Sequence, residues 1–115
     1  MENFHDTPII QKVYNLYRDF YITVEKMQKK DKYSLGLKIQ NSILEILELT
    51  IEASNLKQAE KITPLEKASI KTDLLKTLIR LAHDIKAIDQ KKYIKLEEQV
   101  QEIGKMIGGW LRYIK

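Results

Sequence analysis

Seven apolar residues towards the carboxy-terminal end of the chain, Tyr93, Leu96, Val100, Ile103, Ile107, Trp110 and Ile114, recur at alternating intervals of three and four. A strand would need a period of two. This segment can therefore bury one side only as a helix, and an unbroken three-four repeat is the pattern of helices that pack with a left-handed crossing. A long amphipathic helix of this kind has to find apolar partners in its own chain or in another.

The rest of the sequence supplies such partners. Ile10, Val13, Tyr17, Phe20, Val24 and Met27 share the spacing in a first helix, which starts near Pro8 and ends in the polar stretch Gln28-Lys29-Lys30-Asp31-Lys32. A second helix is expected from Tyr33 to Asn55, with Ile39, Ile43, Ile46, Leu47 and Ile51 as its apolar face. After a short polar connection from Leu56, Thr63-Pro64-Leu65-Glu66 reads as an N-cap, a proline at the first helical position and a capping-box glutamate. The third helix places Leu74, Leu75, Leu78, Ala82 and Ile85 on one face and continues to Ile88, where Asp89 can cap the fourth. Only four Gly and two Pro interrupt the 115 residues. Four helices with short connections favour antiparallel neighbours. The expected fold is all-α, an up-down-up-down four-helix bundle forming a single domain over residues 1–115, with residues 1–7 as a flexible tail.

Several function classes are disfavoured. There is no cysteine, hence no disulfide framework and no thiolate chemistry. The segment Met1–Asp6 has no signal-peptide pattern and no apolar run is long enough to cross a bilayer, so a soluble, cytoplasmic protein is expected. No nucleophile-base pairing, Gly-rich phosphate loop or HExxH motif occurs, and neither an enzyme nor a cofactor is expected. Helical bundles can hold two metal ions through paired Glu-x-x-His motifs. Glu2-Asn3-Phe4-His5 matches one such motif, but Arg80 stands three residues before His83, so the second copy is missing and no metal is expected. Glu45, Glu48 and Glu52 fall within about 60° on the second helix, where a solvated or intersubunit face is preferred over a cation site.

The remaining signals concern surfaces. The net charge is +4, and most of the excess lies in the carboxy-terminal half. Lys76 and Arg80 share a polar stripe of the third helix with His83, while Lys105 and Arg112 share one on the fourth; these four basic residues are the candidate phosphate contacts. Tyr14, Tyr17 and Tyr21 line one edge of the first helix, where they can form a shoulder of the core or stack on unpaired bases. The second helix is apolar over more than half its circumference, because Leu35, Ile39, Ile46 and Leu49 widen its face. Self-association or a broad contact within the monomer would account for this. Gly104, Gly108 and Gly109 each cost about 1 kcal/mol in a helix interior, which close approach of another helix or chain would explain, as would fraying at the end.

Three stretches, Lys32-Tyr33-Ser34-Leu35-Gly36, Leu78-Ile79-Arg80-Leu81-Ala82-His83-Asp84-Ile85-Lys86 and Ile103-Gly104-Lys105-Met106-Ile107-Gly108-Gly109-Trp110-Leu111, together resemble the accessory variability determinant (Avd) proteins of diversity-generating retroelements. The resemblance runs over nearly the whole chain. It implies a homopentameric barrel of four-helix bundles that contacts RNA or DNA with little sequence preference, binds the retroelement reverse transcriptase and supports mutagenic reverse transcription. Gly36, Arg80, Gly108, Gly109 and Trp110 are the matching family positions. Candidate partner or oligomer contacts are Glu45, Glu48, Glu52, Gly104, Gly108, Gly109 and Trp110. The wider group includes four-helix proteins encoded in intervening sequences of ribosomal RNA genes, which would imply a structural oligomer without a polymerase partner.

Overall fold

The computed structural model describes residues 7–115. The expected tail lies outside them except for Thr7, as does the Glu2-x-x-His5 motif. Four long helices make the body: α1 (Thr7–Glu25), α3 (Leu37–Ser54), α4 (Ile62–Asp84) and α5 (Gln90–Ile114). A single turn, α2 (Lys29–Asp31), and a π-helical segment (Lys32–Gly36) run into α3, and a 3-10 turn (Gln58–Lys61) runs into α4. There is no strand among the described residues.

Each helix lies against its sequence neighbours, and α5 closes the bundle against α1. Specific contacts fix the directions. His83 stacks on Tyr93, and Lys115 reaches Glu66 at 3.3 Å, so α4 and α5 are antiparallel. Gln99 donates to Asp19 at 3.0 Å while Ile9 lies with Tyr113, which sets α5 antiparallel to α1. Lys71 pairs with Glu45, and Lys61 reaches Ala53. The bundle measures 43 × 20 × 19 Å. Its core runs along the axis through Val13, Leu16, Phe20, Ile39, Ile43, Ile46, Leu75, Ile79, Val100, Ile103 and Ile107. Buried Ser42, Thr50 and Thr72 donate to carbonyls four residues earlier in their own helices, so their hydroxyls enter the core with partners.

Some boundaries and faces differ from the sequence expectation. The second rod starts at Lys29, inside the stretch read as the end of the first helix. The third starts at Ile62, so Thr63 lies within the helix and does not cap it. Here the 3-10 turn before it, in which the Lys57 N–H donates to Glu60 at 3.3 Å, makes the entry. Pro64 sits in the first turn and still loses no intrahelical bond there. The same helix stops at Asp84 because Lys86 takes the left-handed conformation, φ 64°, and the Ala87 N–H turns back to the Ala82 carbonyl at 2.8 Å. Asp89 caps α5 as its sequence suggests, accepting from the Lys92 N–H at 2.8 Å.

Of the expected core residues, Ile10, Tyr17, Leu47, Leu74, Leu78, Tyr93 and Ile114 are half-buried, and Ile51 and Ile85 are exposed. Ile9, Leu16, Leu65, Ala68 and Ile79 take the interior instead. The apolar face expected on α4 mixes two overlapping three-four repeats. The buried one contains Ala68, Thr72, Leu75, Ile79 and Ala82, and the outward one contains Ile70, Leu74, Leu78, Leu81 and Ile85.

Candidate interaction surfaces

The outward repeat of α4 forms an apolar ridge. Ile70 is 68%, Leu81 45% and Ile85 51% exposed, with Leu74 and Leu78 half-buried between them. Its spacing is that of a helix-packing seam, and no other helix among the described residues covers it. Beside the ridge, a groove of about 410 Å³ runs between α3 and α4, lined by Glu45, Glu48, Leu49, Glu52, Lys67, Ile70 and Lys71. Glu45 pairs with Lys71 at 3.4 Å, while Glu48 and Glu52 have no ion-pair partner among the described residues. No group of three or more metal-ligating side chains suited to an ion occurs among those residues. The acidic cluster is therefore one wall of a groove with an apolar floor.

A second apolar concavity lies on the opposite flank of α3. Tyr14, Tyr17, Arg18 and Tyr21 of α1 and Leu44 and Leu47 of α3 enclose about 350 Å³. Tyr14 and Tyr21 are about half exposed, 54% and 52%, so they stand further out than a core shoulder would. Leu37, Leu44 and Ile51, seven apart, extend this exposed apolar face along α3. The broad apolar face of the second helix is thus divided between the core and this flank.

The four candidate phosphate-binding residues lie on α4 and α5, on the outside of the bundle. A Cβ added to Gly104 would sit 3.7 Å from Lys76 Nζ and 3.6 Å from Thr72, so the Lys76 side chain lies across α5 at this point. Arg112 approaches Gly108 and Gly109, where an added Cβ would meet its guanidinium at 3.6 and 3.8 Å. These are ordinary contacts. Nothing among the described residues requires glycine at 104, 108 or 109, in contrast to Gly36, where a Cβ would lie 2.6 Å from Val24 Cγ2.

Trp110 is buried, and its ring centroid lies 5.7 Å from Lys61 Nζ. One edge of it lines a concavity with Ile9, Met106, Gly109 and Tyr113. Lys61, which the sequence did not single out, is itself buried and donates to the Ala53 carbonyl at 2.6 Å. A cation there meets the negative end of α3 and a Trp ring together. At the α4–α5 corner, the His83 and Tyr93 rings stack at 4.4 Å and His83 Nε2 lies 3.2 Å from Gln90 Oε1. The Tyr93 hydroxyl donates to Glu97 at 3.0 Å, and that hydrogen bond raises the phenol above its ordinary value, with partial desolvation and the Glu97 charge adding to it.

These features define an all-α protein of four long helices with two exposed apolar faces. The sequence model of the bAvd-like family matches residues 8–114, and the chain belongs to that family. No match was found among curated proteins. No helix among the described residues is long and apolar enough to cross a membrane.

Proposed function

We propose that this chain is the non-catalytic accessory protein of a diversity-generating retroelement, working as a ring of identical subunits that binds the reverse transcriptase together with template RNA or its cDNA. Family membership supports the accessory role. The observation that carries the assembly is the presence of two separate apolar faces on one bundle, the α4 ridge and the tyrosine-lined α1/α3 flank. A self-complementary patch would make a two-fold dimer. Two different faces suit head-to-tail contact, in which the ridge of one protomer enters the flank of the next and the series closes into a ring. A homopentamer is the favoured closure, and it takes its number from the family resemblance.

In this reading Lys76, Arg80, Lys105 and Arg112 contact phosphates, and the ring multiplies a small charge per chain. Glu45, Glu48 and Glu52 offer an acidic wall to a basic polymerase, and Gly104, Gly108 and Gly109 leave room for a partner to approach α5. Native mass spectrometry of the wild-type chain and of Leu81→Lys/Ile85→Lys tests the assembly. The expected result is a ring that falls to folded monomer, since both side chains are exposed in the single chain. A wild-type protein that stays monomeric at micromolar concentrations refutes the ring. Co-purification with the polymerase encoded beside it, in the presence of template RNA, tests the accessory role, and its failure sinks that role.

A further inference from the structure

The antiparallel order gathers two connections at one end of the bundle. There α1 ends and α3 begins, and α4 ends and α5 begins. The first connection carries Lys26, Lys29, Lys30 and Lys32, the second carries Lys86, and Lys91 and Lys92 follow in the first turn of α5. Both groups lie at this end of the bundle, where Asp19, Ile22 and Thr23 of α1 line a small cleft with Lys92 and Lys95 of α5. Against these seven lysines the same end presents Glu25, Asp31, Asp84 and Asp89. Two of those carboxylates are engaged locally: Asp89 caps α5 through the Lys92 N–H, and Asp84 lies 3.7 Å from His83 Nδ1. None of the seven lysines forms an ion pair among the described residues, where Lys12, Lys71 and Lys115 are the lysines that do.

Unpaired cations held at one end of the bundle, on a face about 20 Å across, repel one another and favour an extended polyanion. One strand of a duplex, with one charge per ~3.4 Å of axis, would place about six phosphates over that distance, and an extended single strand fewer. We propose that this lysine-rich end, distinct from the Lys76/Arg80/Lys105/Arg112 flank, is the principal phosphate-backbone contact surface of the protein. The proposal rests on the nucleic-acid reading above and relocates its main contact. In a ring whose helices run along the axis, it would make one rim basic and leave the α4 and α5 flank secondary.

The test measures binding of the full chain to a labelled single-stranded RNA oligonucleotide over a range of salt concentrations. It compares the wild type with K29Q/K30Q/K91Q/K92Q and with K76Q/R80Q/K105Q/R112Q, while circular dichroism and light scattering monitor fold and assembly. The end-face variant should bind at least about tenfold more weakly at moderate salt. Its slope of log affinity on log salt should be shallower by about two to three, at ~0.7 for each phosphate no longer neutralised. Should the fourfold variant assemble poorly, K29Q/K30Q alone should show about half the slope change. Unchanged affinity and slope in the end-face variant, with weakened binding in the flank variant, overturns the proposal and leaves the nucleic-acid reading standing. A wild-type protein that binds neither RNA nor DNA overturns both.

Discussion

Gly36 offers a quantitative check on how α1 and α3 meet. The residue is buried with ordinary helical φ, so its backbone conformation does not demand glycine; the space does. A Cβ at this position would lie 2.6 Å from Val24 Cγ2, 3.2 Å from the Asp31 carbonyl oxygen and 3.5 Å from Met27 Sδ. The first distance is roughly 1 Å inside ordinary carbon-carbon contact, and relieving such an overlap in a packed core costs about 1–3 kcal/mol. Alanine recovers about 1 kcal/mol through its better helix propensity. Gly36→Ala should therefore destabilise by up to about 2 kcal/mol. Val24→Ala removes the clashing methyl and by itself should cost about 2 kcal/mol, from about 0.8 kcal/mol per buried methylene plus a cavity contribution. In the Val24→Ala background, Gly36→Ala should be neutral or stabilising by up to about 1 kcal/mol, a coupling of about 1–3 kcal/mol. Urea unfolding of all four proteins, followed by far-UV circular dichroism at one fixed protomer concentration, measures it. A coupling below about 0.3 kcal/mol would show that the glycine is not there to admit Val24.

Replacing buried Lys61 with Met should cost about 1–2 kcal/mol, because a charged donor on the Ala53 carbonyl and a cation at the α3 terminus disappear together while a charge no longer has to be buried; a neutral or stabilising change in the same unfolding assay would mean that desolvation outweighs both interactions. Glu97→Gln should lower the Tyr93 titration towards its ordinary value, read by ultraviolet absorbance of the phenolate, and an unchanged midpoint would rule out the Glu97 hydrogen bond as the main cause. Because the folded state holds that proton more tightly, the associated stability is fully present below the ordinary tyrosine pKa and is lost as pH rises through the raised one.

The sequence by itself determined the fold class, the approximate helix spans and the α5 seam, because a three-four repeat constrains a helix wherever that helix packs. Asp89 was legible too, since capping is a local hydrogen bond. Thr63 misleads because its motif is local while the 3-10 turn that starts α4 earlier lies upstream of it. The division of α4 into two seams could be settled only in three dimensions. Both seams have helical spacing, and the outward one, Ile70, Leu74, Leu78, Leu81 and Ile85, is the bulkier. Tertiary packing gave the interior to Ala68, Thr72 and Ala82, whose small side chains sit fully buried beside Leu75 and Ile79. The bulkier side chains were left outward, where the proposed contact with another chain would cover them. Gathering lysines from two segments more than fifty residues apart at one end of the bundle was likewise a consequence of antiparallel topology, which no local pattern encodes.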